Sequence, residues 1–416
     1  MIRCWWVEVG VAVKLLFVHQ NFPGQFKHLA PALARDPAHQ VVAMTMSPHA
    51  PIKGITLAQH SIPRLPTRPH PYLSEFELQV LRGQSAAGAA LALRQGGFVP
   101  DVICAHPGWG EALFLKDIFP AAKLLCYQEF FYRSSGSDVN FDPEYRSQAF
   151  DHAFHLRIRN SAYLASLDAA DANYSPTYWQ RDQFPAVYRP QIEVIHDGID
   201  TDVVKPDPGA WLTLKALGRR LTAADEVITF VNRNLEPYRG FHTFMRALPE
   251  LLQRRPNAIV IVVGGDDVSY GQQPPDGQTY RQKYLDEVGE AIDLNRVRFV
   301  GNLPYGLYLH LLQISSCHVY LTYPFVLSWS LLESMSVGVP VVASSTAPVR
   351  EVIEDGVNGL LVDFFSPSAL AERVCTVLDD RSMAARLGRQ ARESIIERYD
   401  LRRYCLPAQL EMIRSL

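Results

Sequence analysis

Residues Phe325 to Ser344, FVLSWSLLESMSVGVPVVAS, hold the most chemistry in this 416-residue chain. Ser328, Trp329, Ser330 and Leu331 read as a small-residue loop entering a helix, with Glu333 inside it. Gly338 and Pro340 then open a strand of Val339, Val341 and Val342. A helix N-terminus presents unpaired backbone N–H groups and a positive dipole end, which suits a phosphate. A carboxylate just inside can accept hydrogen bonds from a vicinal diol such as a ribose. A plain helix and strand of an α/β core would account for the apolar residues, but not for Glu333 among them.

A second constellation is RNLEPYRGF, Arg233 to Phe241, between a strand and an amphipathic helix. Two guanidinium groups six residues apart can both reach a diphosphate, where their planar forks match phosphate oxygens. Gly240 frees the turn before the helix. Two solvated arginines explain the same residues equally well. The acidic pair Asp266 and Asp267 in GGDD (264–267) invites a Mg²⁺ reading, but no D-x-D lies in a suitable context and a turn is expected. In the first half, HQNFPGQFKHL (19–29) carries a single glycine, Gly24, and lacks the G-x-G-x-x-G of a dinucleotide site. His106 ends the strand-like run DVICA, where it can bond a hydroxyl or cap the next helix. Glu129 ends the next run, beside Phe130, Phe131 and Tyr132, which read as an acceptor wall or as core.

These segments resemble family 4 glycosyltransferases, retaining enzymes of the GT-B fold with the pattern E-G-F-G-L-P-x-x-E-A-M-A-x-G-x-P-V-V. The match runs from Ser330 through Ala343 and makes Glu333 the ribose ligand. The first Glu of the E-x7-E pair falls on Phe325, so the usual donor-sugar contact is missing. The resemblance makes Arg233 and Arg239 the ligands of the donor pyrophosphate, with Arg239 standing where relatives carry Lys. It sets Gly24 in the place of the family's glycine loop. It puts VRFVGNL (297–303), with Gly301 and Asn302, beside the nucleotide base. HPGWGE (106–111) is similar to the H-x-H-D-W segment of glycogen-synthase-like relatives, whose His contacts the donor sugar. Many relatives carry His near Glu129; a carboxylate there could orient an acceptor hydroxyl or compensate for Phe325.

The elements that must position these groups follow from length and pattern. A chain of this length suggests two domains of roughly 200 residues. Short β-rich runs at Lys14–Val18, Gln40–Thr45, Val102–Ala105 and Lys123–Tyr127 alternate with helical stretches at Gly24–Arg35 and Gly108–Ile118. The alternation restarts at Val227–Asn232, continuing through a helix from Phe241 and strands at Ala258–Val263, Val297–Val300, His318–Tyr323, Val339–Ser344 and Leu360–Val362. Such βαβα order predicts parallel sheets with helices on both faces. The fold expected is α/β, GT-B: two doubly wound Rossmann-like domains facing a cleft. The expected boundaries are 1–205 (acceptor side, with 1–12 an upstream extension), 206–400 (nucleotide-sugar side) and 401–416, a helix crossing back to the first domain. The break is set by DTDVVKPDPG near 200–209.

Composition excludes several other classes. Hydrophobic residues at 48% with 20% charged argue for a globular protein, and a net charge of -3 gives no pull toward nucleic acid. Six scattered cysteines without C-x-x-C suggest free buried thiols in a reducing, cytoplasmic setting. No apolar run is long enough to span a bilayer, though peripheral contact with the membrane's inner face is compatible. The expected activity is transfer of a sugar from a nucleoside diphosphate sugar to a carbohydrate or lipid-linked acceptor, with retention and in polysaccharide or glycoconjugate synthesis. The resemblance implies no metal and no cofactor: the leaving diphosphate takes the acceptor proton. Phe325 motivates the rival reading, a catalytically weakened sugar- or nucleotide-binding protein. A nicotinamide oxidoreductase would fit the two-domain plan alone, but it lacks its glycine fingerprint.

Overall fold

Strands that are apolar on both faces need helices over both faces, and such strands pair in parallel. The computed structural model, which describes residues 12–416 except 49, 63–69, 148, 215–217 and 275–276, shows this twice. In the first sheet β1 (Lys14–Val18), β2 (Gln40–Thr45), β3 (Ile55–Gln59), β4 (Val102–Ala105), β5 (Lys123–Tyr127), β6 (Ala172–Ser175) and β7 (Ile192–Val194) are all parallel. Their order is β3-β2-β1-β4-β5-β6-β7. A short antiparallel pair follows, β8 (Trp211–Leu214) with β9 (Arg219–Thr222). The second sheet contains β10 (Val227–Asn234), β11 (Ile259–Gly265), β12 (Val297–Phe299), β13 (Cys317–Tyr320), β14 (Val341–Ser344) and β15 (Leu360–Val362). It too is parallel, in the order β12-β11-β10-β13-β14-β15. Strand order reverses between β1 and β4 and again between β10 and β13. Doubly wound sheets bind ligands beyond the strand ends at such switch points.

The chain divides into two compact units. One comprises the described residues through Ser135, Tyr145–Asp197 and Arg402–Leu416; the other comprises Gly136–Glu144 and Gly198–Leu401. The last helix, Leu406–Arg414, buries Leu410, Met412 and Ile413 in the same core as Leu15, Phe17 and Leu33 of the first unit. Residues 1–11, most of the expected upstream extension, lie outside the described residues. Cys104, Cys126, Cys317, Cys375 and Cys405 are buried free thiols.

Residues 136–144 come from the chain's first half yet are built into the second unit. Phe141 packs on Tyr323, Phe364 and Phe365, with ring centroids 5.0–5.3 Å apart. Asp138 accepts from the Tyr238 hydroxyl (2.9 Å). Asp142, 3% exposed like its partner His242, pairs with that imidazole at 2.9 Å and accepts from the Tyr323 hydroxyl at 2.8 Å. Glu144 meets Arg246.

Two helical stretches are shorter than expected. Gly24–Arg35 is a 3-10 turn, Gly24–Phe26, followed by a helix only at Leu29–Leu33. Pro31 has no N–H, so it fits the first turn of a helix starting at Leu29 but not the interior of a longer one. Gly108–Ile118 similarly resolves into a turn at Pro107–Trp109 and a helix at Leu115–Ile118, with Gly110 at φ +102° between them. Strand β14 starts at Val341, because Pro340 has no N–H to give a sheet.

Candidate active site

In the first unit, the switch point gathers side chains from three strand ends. His19 follows β1, His106 follows β4, and their rings lie 5.2 Å apart. Glu129 follows β5; its side chain is 24% exposed and its Oε2 stands 3.3 Å from His106 Nε2. Gln25 Nε2 donates to Glu129 Oε1 (2.7 Å), while Gln25 Oε1 lies 2.7 Å from His19 Nε2. The Glu129 carbonyl accepts from Gln180 Nε2 (2.6 Å), so its backbone is also tied. Trp109 stacks on His106 at 5.5 Å. His106 also caps the Pro107–Trp109 turn, its Nδ1 accepting from the Gly108 amide (3.3 Å). The capping expected of this histidine is therefore present, and its Nε2 faces Glu129. Gly24 has φ +46°, and a Cβ there would lie 2.3 Å from His19 Nε2. The space its missing side chain leaves is filled by the His19 ring, a reason for glycine that the sequence did not suggest. His19 and Gln25 were also not foreseen; the hint was two polar residues flanking a glycine directly after a strand.

Burial, reinforced by the neighbouring His106, lowers the His19 pKa to about 4, so the ring is neutral. Burial opposes ionisation of Glu129, but its neighbours, His106 first and then His19 and Gln25, outweigh it and hold the carboxyl below its ordinary value.

Behind this cluster sits Glu111, fully buried, with no partner among the described residues for either carboxylate oxygen apart from its own amide. Burial pushes its pKa from 4.5 up to about 7, and Arg82 and His106 only partly counter it. The folded state therefore binds more protons than the unfolded state between these values, so stability falls as pH rises from 4.5 through 7. The displacement corresponds to about 3 kcal/mol, fully lost above pH 7. Glu111→Gln should therefore stabilise the protein by about that amount at pH 8 and change little at pH 4.5, as read by chemical denaturation. An equal difference at both pH values would contradict this.

In the second unit, Arg233 is exposed at the carboxyl end of β10. The next strand ends adjoin it: the Gly264 amide donates to the Gly301 carbonyl (3.1 Å), and a Cβ on Gly265 would meet Asn234 and Asn302. Glu236, fully buried, accepts from the amides of Ser269 (3.1 Å), Tyr270 (3.1 Å) and Gly271 (2.9 Å), fixing the loop after β11. Gly240, φ +66°, must be glycine because a Cβ would lie 2.3 Å from Leu321.

Arg239 is 5% exposed. Its Nη1 donates to Thr322 Oγ1 (2.8 Å) and to the Val326 carbonyl (2.9 Å), bracing the loop that leads into the helix Trp329–Ser336. Phe325, 4% exposed, packs against Tyr270 (4.9 Å) and Tyr238 (5.5 Å), with the Arg239 guanidinium 5.9 Å above its ring. The position where the resemblance expects a carboxylate is thus part of an aromatic cluster. Ser328 caps the helix, its Oγ accepting from the Ser330 amide (3.3 Å), while its own amide donates to the Tyr320 hydroxyl (2.8 Å). Trp329 and Ser330 begin the helix, and Leu331 is fully buried beneath them.

Glu333 lies one turn into this helix, buried, and receives the hydroxyls of Tyr305 (2.8 Å) and Tyr308 (2.7 Å), one on each oxygen. Each carboxylate oxygen has a further lone pair, so a diol can still be accepted. The two tyrosines, three residues apart on the helix Tyr305–Gln313, were not foreseen; Y-x-x-Y after GNLP was the available signal. Asp266 pairs with Arg281 at the turn after β11. No group of three or more His, Cys, Asp or Glu among the described residues could hold a metal ion. No helix of the described residues is long and apolar enough to cross a membrane.

Solved structures share this fold. Sucrose-phosphate synthase from Thermosynechococcus elongatus superposes with a TM-score of 0.71 at 17% identity, covering 97% of this chain and 98% of that one. Anabaena HepE, solved in complex with UDP and glucose, gives 0.66 at 19% identity, covering 97% and 100%. The fold, α/β with two Rossmann-like parallel-sheet domains, is that of GT-B glycosyltransferases. Family models described as "Glycosyl transferase family 4 group" and "Glycosyl transferases group 1" match residues 37–204 and 219–394. The chain belongs to the family 4 glycosyltransferases. Among its relatives, a D-inositol 3-phosphate glycosyltransferase of Corynebacterium efficiens is 27% identical over 338 residues, 78% of this chain and 74% of the relative. A GDP-mannose-dependent alpha-(1-6)-phosphatidylinositol monomannoside mannosyltransferase of Mycobacterium tuberculosis is 27% identical over 247 residues, 57% of this chain and 60% of the relative.

Proposed function

We propose that this glycosyltransferase takes its sugar from a nucleoside diphosphate sugar and passes it, with retention of anomeric configuration, to a hydroxyl of a carbohydrate or lipid-linked acceptor. The observation that carries this reading is the Glu333 carboxylate. It is held by two tyrosine hydroxyls one turn inside a helix whose N-terminus is braced through Ser328. That arrangement suits a ribose diol on the carboxylate and a diphosphate at the amides. Arg233 and Arg239 supply positive charge as the bond from the sugar C1 to the diphosphate breaks. The new bond forms from the acceptor oxygen to C1, and the leaving diphosphate takes the acceptor proton. Glu129, on the first unit, orients the acceptor hydroxyl. The relatives named for GDP-mannose and for inositol phosphate or phosphatidylinositol mannoside substrates, and the HepE complex with UDP, support this class of substrate.

Phe325 favours a second reading in which nucleotide binds but turnover is weak, because a phenyl ring cannot accept a sugar hydroxyl. Incubation with UDP-glucose and with GDP-mannose decides between them. Nucleotide release, with NMR of an α-configured product, supports transfer. Saturable nucleotide binding without release from either donor supports the second reading.

A further inference from the structure

We infer that Gln25, with His19 behind it, is a positioning residue that fixes the Glu129 carboxylate as an anion for the transfer. The inference rests on the role given to Glu129 above.

The Asn21 amide can only donate, and it points at His19 Nδ1 (2.9 Å). Nδ1 is therefore the acceptor, and the neutral His19 ring carries its proton on Nε2. That proton goes to Gln25 Oε1, 2.7 Å away. The orientation of the Gln25 amide is thereby set, and its NH₂ faces Glu129 Oε1 (2.7 Å). From the other side, the Gly108 amide occupies His106 Nδ1, so the His106 proton also lies on Nε2, 3.3 Å from Glu129 Oε2. Every member has its valence used in one direction, and both chains end as donors on the same carboxylate. Protonating Glu129 would weaken one of these oxygens as an acceptor and add a donor beside donors, so the network favours the anion. The tyrosines of its own strand and of the helix Ser161–Ala169, Tyr127 and Tyr163, also face Glu129 but stay neutral, because burial raises both well above the ordinary phenol value. The conformation is fixed as well as the charge: Gln180 ties the Glu129 backbone, and Thr177 Oγ1 donates to Gln180 Oε1 (3.0 Å). The positive φ of Gly24 is what lets Gln25 and the His19 ring meet.

The test uses the full chain carrying Gln25→Leu or Gln25→Glu, with glutamate labelled at Cδ with ¹³C for NMR titration. Release of UDP from UDP-glucose and of GDP from GDP-mannose is followed across pH in parallel. In Gln25→Leu the Glu129 midpoint should rise by about one pH unit, a tenfold change in ionised fraction below it. In Gln25→Glu it should rise further, because a second carboxylate then faces the first. Nucleotide release should fall about tenfold at acid pH and recover in alkali for Gln25→Leu, with nucleotide affinity unchanged. Should leucine prevent folding, Gln25→Asn, one methylene too short, is expected to act in the same direction. An unchanged midpoint overturns the inference, and so does a raised midpoint with an unchanged acid rate. If the wild type releases neither nucleotide, the midpoint alone decides. Glu129→Gln separates this from the reading beneath it: full activity in that variant removes Glu129 from the transfer, whatever Gln25 does.

Discussion

Arg239→Ala should lower turnover by about 10²- to 10³-fold, the usual effect of removing one donor from a developing negative charge. Unlike Arg233→Ala, it should also destabilise the second unit. The Arg239 guanidinium is buried and holds Thr322 and the Val326 carbonyl, so the loop before the Trp329–Ser336 helix loses its brace. Loss of such charged hydrogen bonds costs about 1.5–3 kcal/mol. Arg233, exposed at the end of β10, should affect turnover with little change in stability. The double variant should be less impaired than the product of the two singles, because both cations serve one diphosphate. Single-turnover rates and denaturation midpoints on the three proteins check this. Multiplicative effects on turnover would place the diphosphate elsewhere.

Asp142→Ala should cost the second unit about 3–5 kcal/mol, because three donors lose their acceptor and each unpaired buried group costs about 1–3 kcal/mol. Asp142 accepts from His242, from the Tyr323 hydroxyl and from the Glu144 amide. Burial opposes its ionisation, but those donors outweigh it and hold the carboxyl below its ordinary value. The segment 136–144 would lose its central anchor while Phe141 and Glu144 remained. Asp142→Asn, which keeps an acceptor oxygen, should recover part of the loss. Equal stability of Asp142→Ala and wild type in urea would show that the aromatic packing of Phe141 alone secures the segment.

The parts of this fold visible in the sequence were those set by local pattern. Runs such as LLFV, VICA and IVIVV are apolar on both faces and became the central strands of two parallel sheets. Glu333 was visible because a carboxylate inside an apolar helix has no packing reason to be there. The features that escaped are settled by partners far along the chain. The segment 136–144 has no period and reads as a loop; its partners lie 100 to 181 residues away at Tyr238 and Tyr323. The Gln25–Glu129 bond spans 104 residues, and nothing near Gln25 announces it. Arg239 was recognised as a cation, but that its charge is buried against a carbonyl depends on tertiary packing alone. The two shortened helices were legible in principle, since Pro31 and Gly110 mark where each must break.

The central claim is that the second unit reads a nucleoside diphosphate through Glu333. Calorimetric titration of UDP and GDP into the wild type and Glu333→Gln tests it most directly, since glutamine keeps the shape and removes the charge. The account predicts saturable binding of at least one nucleotide by the wild type. It also predicts affinity weaker by about 1–3 kcal/mol, roughly 5- to 150-fold, in the folded variant. Binding of neither nucleotide by the wild type, or equal affinity in both proteins, would contradict it.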